Sequence, residues 1–409
     1  MSFDLRLSPA HHELVERTHR FAADAVRPVA PEYDKREEFP WPVLEEAARE
    51  GFYNPLFYRD LIGDPTGLSL PLFMEELFWG CAGIGLAIVM PALALSAMAQ
   101  AATPEQLLRW APECFGEPGN LKLAALAVSE PEGGSDVRNL RTRASKDGDE
   151  WVIDGRKIWI GNGGIADVHV VNATVDPELG HKGQALFVVP GGTPGLTLVR
   201  KLEKLGCRAS HTAEITFENC RVPADHLLAA NDALKKAGVY FRAGKILQAA
   251  KNLGTGVGAL EETERYVQEH VQGGRVLIQH QIVAWHLADM ATKIEATRAF
   301  VRYAARAIDA GASDGDALCL MAKVHASELV FDVCKTAMEL HGGAGAMREA
   351  GIERHLRDAS IFFHMDGTND VHRFKIVKGL FPDTAGTYAG TNGAAPQRGV
   401  IEEVGAVVA

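Results

Sequence analysis

Residues Met338–Arg373 read MELHGGAGAMREAGIERHLRDASIFFHMDGTNDVHR, a glycine hinge followed by dense charge and then one carboxylate after an uncharged run. Asp366 follows Ile361, Phe362, Phe363, His364 and Met365 and precedes Gly367, a residue that lets the backbone bend tightly. Apolar surroundings of this kind suit a carboxylate that works as a general base. Gly342, Gly343 and Gly345 permit close approach of a flat or phosphate-bearing ligand, although a GGxG run also ends helices. A plainer reading stays open: Arg354, Arg357 and Asp358 form a surface ion-pair ladder, and Asp366 caps a helix beginning near Thr368.

Working outward, 409 residues exceed one ordinary domain, and 47% hydrophobic with 23% charged residues is ordinary globular composition. A net charge of −11 argues against nucleic acid as a partner. One local basic cluster, Arg200, Lys201, Lys204 and Arg208, is a candidate phosphate site. Six cysteines without CxxC spacing fit a reducing cytoplasm, and no metal site is expected. The first twenty residues lack a signal-peptide core, and no apolar run is expected to reach the roughly 18 residues of a membrane span.

The chain divides by texture into four parts. Residues 1–120 read as helices, among them Leu70–Ala87, broken by Pro28, Pro31 and Pro40. Residues 121–232 consist of short β-like runs such as WVIDGRKIWI, ADVHVVNATV and AEITFENCRV, predicting an antiparallel barrel or sandwich. Residues 233–382 return to long helices, Ala233–Gln268, Gln281–Ala310, Gly315–Leu340 and Thr368–Leu380, predicting a four-helix bundle in an α+β multidomain chain. Residues 383–409 are Gly/Ala/Thr-rich and read as a mobile or subunit-wrapping tail. Glu75 and Glu76 are adjacent on a helix and face about 100° apart, so they suit a core edge better than a paired-carboxylate site. Gly254, Gly256 and Gly258 lie in a helical pattern with no strand before them, which favours close helix packing over a dinucleotide site.

Five motifs stand in order: Val128-Ser129-Glu130-Pro131 through Ser135-Asp136, Gly155-Arg156-Lys157-Ile158-Trp159, Leu205–Ile215, GGAG at 342–345, and ERHLRDA followed by DGTNDVHR at 353–373. Together they resemble the acyl-CoA dehydrogenase family of flavoproteins over about residues 5–381. The resemblance implies helical, β and helical-bundle domains, FAD as cofactor, an acyl-CoA substrate and α,β-dehydrogenation to the 2-enoyl-CoA. It further implies an electron-transfer flavoprotein or similar acceptor and a homotetramer built as a dimer of dimers.

By the same resemblance Asp366 stands where the family usually carries its glutamate base. Val128, Ser129, Ser135, Trp159, Gly161, Thr368 and Asp370 fall at flavin-contacting positions; Ser135, Phe241, Lys245 and Gly367 fall at substrate positions. Arg275, Gln281, Glu339, Gly342 and Gly343 belong to the arm that reaches a neighbouring subunit's FAD. Several positions depart from the family pattern. Asp366 shortens the base by one methylene, Gly161 replaces a Thr or Ser, Lys245 replaces an Arg, His270 and Gly273 replace an Arg and a Phe, and Glu339 replaces a Gln. Two alternatives stay open on this basis: a nitroalkane-oxidase-like enzyme, in which aspartate is the base, and a catalytically weak subunit of a mixed oligomer.

Overall fold

A computed structural model describes residues 5–137, 140–230, 233 and 238–381, with the side chains of 238–243 excepted. The tail from 383 and the Phe241 side chain lie outside the described residues.

The chain opens with seven helices: α1 (Pro9–Phe21), α2 (Ala30–Arg36), α3 (Trp41–Arg49), α4 (Pro55–Ile62), α5 (Ser69–Gly80), α6 (Ala82–Ala101) and α7 (Pro104–Trp110). Proline recurs in their first turns, where its missing N–H costs nothing, and Ser8 and Thr103 cap α1 and α7 through reciprocal hydrogen bonds. The segment expected to run from Leu70 to Ala87 is instead two helices, because Cys81 is extended at φ −169° and turns the chain between them. Helix α6 also corrects the membrane expectation: with mean hydropathy 2.0 it is long and apolar enough to cross a membrane. Two thirds of it is buried inside the protein, so its uniform apolarity is that of a central core helix.

A short hairpin of β1 (Gly116–Glu117) and β2 (Asn120–Leu121) leads into an eight-stranded sheet. Its strands are β3 (Ala124–Ala127), β4 (Arg143–Asp147), β5 (Glu150–Gly161), β6 (Val168–Thr174), β7 (Gln184–Pro190), β8 (Leu196–Lys201), β9 (Thr212–Pro223) and β10 (Leu227–Ala229). The order is β10-β7-β6-β4-β5-β9-β8, with β3 beside β6. The sheet is mixed, which corrects the purely antiparallel expectation: β3 runs parallel to β6, Ala124 facing Val168, and Arg143 of β4 pairs in parallel with Thr174. Every residue of β6 is buried, the polar His169, Asn172 and Thr174 included, so the strand is covered on both faces and lacks the alternation of burial that marks an exposed antiparallel face.

Among the described residues, five further α-helices follow: α8 (Gly238–Glu269), α9 (Gln281–Asp309), α10 (Gly315–Leu340), the short α11 (Glu353–Ile361) and α12 (Asn369–Leu380). Between α8 and α9 lies a hairpin of β11 (Val271–Gln272) and β12 (Arg275–Val276). The glycine triplet of α8 serves packing. A Cβ on Gly254 would sit 2.1 Å from the Glu75 carbonyl oxygen, and one on Gly256 would sit 2.8 Å from Ile294 and Val330. Glu75, at the core edge, accepts from Arg298 at 2.7 Å, and Glu76 meets His19 at 2.8 Å.

The charges of α11 are interior, which corrects the surface-ladder reading. Arg357 grips both carboxylate oxygens of Asp34 at 2.9 and 2.7 Å, and Asp358, almost fully buried, accepts the Cys207 amide at 2.6 Å. These bonds join the N-terminal helices, the β domain and the C-terminal helices beside the cavity that Cys207 helps to line. A bidentate guanidinium–carboxylate pair suits this role because it fixes orientation as well as distance.

Candidate active site

The cavity holds about 1930 Å³ and is walled by α6, the β3–β4 loop, β5, α8 and the turn between α11 and α12. Its helical side is organised by that turn. Asp366 adopts φ +55° and Gly367 φ +97°, left-handed conformations in succession that Asp tolerates through its short polar side chain. Such strain costs on the order of 1–3 kcal/mol and persists where the surroundings over-determine it.

Here the surroundings are side-chain N–H donors aimed at carbonyl oxygens. Lys245 Nζ donates to the Asp366 carbonyl at 2.8 Å, and His372 Nε2 reaches the same oxygen at 3.2 Å. From α10, Lys323 donates to the carbonyls of Gly367 (3.0 Å) and Phe363 (3.3 Å) and to Asn369 Oδ1 (2.7 Å). Burial pushes Lys323 down to about 8, and burial together with the lysines at 323, 245 and 375 pushes His372 down to about 3, so this histidine is neutral. With the backbone oxygens taken, the Asp366 carboxylate itself is held by Gln248 Nε2 from α8. The cap of α12 is Thr368, whose hydroxyl accepts from the Val371 amide at 3.3 Å, so Asp366 is released from the capping role the plainer reading gave it.

The β side is built on a buried ion pair. Lys157, fully buried on β5, donates to Val128 O and to Glu130 Oε1, both at 2.8 Å. Glu130 in turn accepts the amides of Arg141 (2.6 Å) and Thr142 (3.0 Å). Burial pushes the Lys157 ammonium down to about 8, and the Glu130 carboxylate works against that shift. The Ile158 amide donates to Ser129 O at 3.1 Å. The loop carrying Val128, Ser129, Gly134 and Ser135 is therefore stitched to β5, and these four residues line the cavity.

Immediately beyond, the register of β5 slips between Lys157 and Ile160, and Trp159 takes φ +60°. The irregularity turns the indole out of the sheet and into the cavity, where it is half exposed and lies against Gly134; a Cβ there would be 3.2 Å from the ring. Gly161 has a local reason to lack a side chain. A Cβ at that position would stand 2.7 Å from both Sδ and Cε of Met90, so the α6 methionine occupies the space of the missing Thr or Ser.

Val128, Ser129, Ser135, Trp159, Gly161, Lys245, Asp366, Gly367 and Thr368 thus share one cavity. Six other sequence candidates do not line it. Asp370 is exposed and pairs with Arg373 at 3.3 Å. Arg275 contacts His280 at 3.3 Å on the β11–β12 hairpin, Gln281 is the exposed first residue of α9, and Glu339 pairs with Lys335 at 3.3 Å. Gly342 and Gly343 face open space, and the Tyr266 ring stacks between His270 and His341 at 4.7 and 4.1 Å. Asp370 apart, these residues belong to the hairpin between α8 and α9, the start of α9 and the end of α10, away from the cavity lining.

The basic phosphate cluster is corrected too. Arg200 is taken by Glu214 (2.8 Å), Arg208 by the Asp34 carbonyl (2.9 Å) and Glu37, and Lys201 by the Glu37 carbonyl. Lys204 is half-buried at the cavity wall and donates to Ser210 and Thr212 at 2.7 and 3.0 Å. Sequence reasoning missed Gln248, Lys323, His372, Met90 and the Lys157–Glu130 pair. Only Gln248 carried a usable signal, three residues beyond Lys245 on the same helix face.

The arrangement can abstract a proton beside a flat ring system. Its volume exceeds the roughly 300–1,000 Å³ of an ordinary ligand pocket, giving room for two ligands. A flat indole wall, a serine hydroxyl and glycine-lined edges fit FAD as one of them.

Comparison with known proteins agrees. Three family models match in sequence: acyl-CoA dehydrogenase N-terminal domain over residues 8–117, middle domain over 125–220 and C-terminal domain over 236–381. A cyclohex-1-ene-1-carbonyl-CoA dehydrogenase of Geobacter metallireducens is 36% identical over 364 residues, covering 88% of this chain and 95% of its own. The mitochondrial short-chain specific acyl-CoA dehydrogenase of Bos taurus is 35% identical, covering 90% and 89%. The structure of butyryl-CoA dehydrogenase from Megasphaera elsdenii superposes with a TM-score of 0.85 at 30% identity, covering 93% of this chain and all of that one.

Proposed function

The chain belongs to the acyl-CoA dehydrogenase family of FAD-dependent oxidoreductases, and on that premise we propose that it removes the α-proton and β-hydride of an acyl-CoA thioester, with Asp366 as the α-proton base. The carrying observation is that the Asp366 carboxylate shares one cavity with Ser129, Trp159 and Gly161, the positions where the resemblance puts the flavin.

Bound FAD supplies the hydride acceptor; Val128, Ser129, Trp159, Gly161 and Thr368 would hold it. The protein's own part is to place and polarise. Lys245, His372 and Lys323 tie down the carbonyls of the 363–367 turn, so the Asp366 amide keeps a fixed direction. Among the described residues nothing accepts from that amide, which leaves it to donate to the thioester carbonyl and acidify the α-C–H. Gln248 fixes the carboxylate that receives the proton.

An aspartate reaches about 1 Å less far than a glutamate, and a misplacement of that size costs on the order of 100-fold in rate when nothing compensates. We take the compensation to lie in the substrate: a branched or ring-bearing acyl group, the latter in keeping with the cyclic substrate in the name of the Geobacter relative. Electrons would leave to an electron-transfer flavoprotein or similar acceptor. The outer surface around Arg275, Gln281, Glu339 and Gly342 would complete a neighbour's FAD site in a homotetramer.

The test is an anaerobic titration of the purified flavoprotein with straight, branched and cyclic acyl-CoAs, followed by the flavin absorbance. Bleaching by cyclic or branched thioesters ahead of straight ones is expected. A yellow protein that no acyl-CoA bleaches but that consumes oxygen with a nitroalkane would replace this reading with an oxidase, and a protein that holds flavin only with a second chain would make it a subunit.

A further inference from the structure

Helix α8 presents Lys245, Gln248 and Lys251 to the cavity at three-residue spacing, one ridge of one face. The first two are committed to Asp366, through its carbonyl and its carboxylate. Lys251 is not. It is 8% exposed, yet among the described residues its ammonium makes no hydrogen bond or ion pair and sits 5.6 Å from the centroid of the Phe78 ring. Burial lowers its proton affinity; the Asp366 charge opposes this from a distance.

The protein's other buried lysines show how unusual this is. Lys157 and Lys323 have two and three oxygen acceptors within 3.3 Å, and Lys245 donates to the Asp366 carbonyl at 2.8 Å. An ammonium taken out of water without a partner costs several kcal/mol, so a lysine kept there signals a partner that arrives with a ligand. Its location says which part of the ligand. Lys251 lies six residues, about 9 Å, further along α8 than Lys245. It lines the cavity together with Met74, Leu247 and Met365 and is close enough to Asp366 to feel its charge, which places it beside the acyl group rather than the CoA phosphates.

We propose that Lys251 forms an acyl-recognition subsite for an oxygen acceptor carried beyond the reacting Cα–Cβ pair, a hydroxyl or carbonyl on the acyl chain or ring, or a second carboxylate. This deepens the acyl-CoA dehydrogenase reading and rests on it. The subsite selects oxygenated acyl groups because they alone satisfy the ammonium; an all-carbon ring leaves it buried and unpaired.

The test uses the flavin-loaded protein and three probes: cyclohexanecarbonyl-CoA and its ring-hydroxylated and ring-carboxylated counterparts. Anaerobic bleaching gives kcat/KM, and calorimetry gives Kd. The wild type should favour at least one oxygenated probe by about 10-fold or more, as a hydrogen bond to a charged group allows. Whether the hydroxyl or the carboxylate gains more identifies the natural acceptor. Lys251→Met should bring the preference near unity, and Lys251→Arg should restore part of it. No preference in the wild type, a preference that survives in Lys251→Met, or an equal loss for all three probes would overturn the proposal, the last by giving the lysine to the flavin or the fold. Because calorimetry reads the preference even when no probe reduces the flavin, failure of the dehydrogenase reading remains distinguishable from failure of this one.

Discussion

The two sides of the cavity handle buried charge in opposite ways. On the β side the charges under the 128–135 loop are paired with each other: Lys157 and Glu130 neutralise one another there, and the loop and β5 present to the space a serine hydroxyl, an indole and a glycine. On the helical side the charges are the working surface, with Lys245, Lys251, Lys375 and Asp366 lining the cavity and Lys323 just behind. A wall of neutral, sheet-borne groups suits a flat ring that must stay put. A wall that moves a proton needs a carboxylate whose position and charge are set by neighbours.

Breaking the helical side at its centre should have the largest effect. Asp366→Asn keeps the shape and removes the base, and the anaerobic rate of flavin bleaching is expected to fall by about 10²–10⁴-fold, the usual contribution of a general base. If the rate holds, proton abstraction belongs to another residue.

The β side should fail through stability instead. Glu130→Gln leaves Lys157 a buried, uncompensated cation and is expected to cost about 3–5 kcal/mol in denaturant unfolding, because breaking one half of a buried pair exposes the full burial penalty of the other. A much smaller loss would mean that the Val128 carbonyl alone satisfies the lysine.

Gly161→Thr sharpens the contrast at the seam between the two sides. Its Cβ would meet Met90 at 2.7 Å, an overpacking expected to cost about 1–3 kcal/mol in thermal unfolding. Met90→Ala should relieve most of that cost, so the two changes together should be far from additive.

The gentlest test is acid. His372 and His169 titrate at about 3 and about 4 in the fold, below the roughly 6.5 of an unfolded histidine. Between those values the unfolded chain binds more protons, so stability should be intact above pH 6.5 and decline as pH falls from there toward 4. His372→Gln should flatten part of that slope in thermal midpoints measured across the same range.

How far this was legible depends on which residues are asked about. The long helices of the C-terminal half were read within a few residues, Gln281–Ala310 against Gln281–Asp309 for instance, because their hydrophobic period is strong and Gly or charge marks their ends. The break at Cys81 was not, since Gly80, Gly83 and Gly85 stand around it without singling out one residue for an extended conformation. The parallel pairing of β3 with β6 escaped for a similar reason: a strand buried on both faces loses the alternation from which pairing is inferred. Among the candidate residues, Asp366 stood out by its contrast with neighbours in sequence. Gln248, Lys251, Lys323 and His372 lie up to 118 residues from the Asp366 they serve or surround, and no local pattern connects them.

The sequence by itself determined the family, the succession of helical, β and helical parts, and the one carboxylate placed in a glycine-bearing turn, because motif order and hydrophobic period are local properties of a chain. Only the tertiary structure decided which charges are spent and which are free. Arg354, Arg357 and Asp358 look like surface charges in one dimension and turn out to be interior struts, while Lys251 looks like one more solvated helix lysine and turns out to be buried, its ammonium without a hydrogen-bond or ion-pair partner among the described residues. The reason is physical: what a charge does depends on its distance to other charges and to water, and both are set by residues far away in sequence.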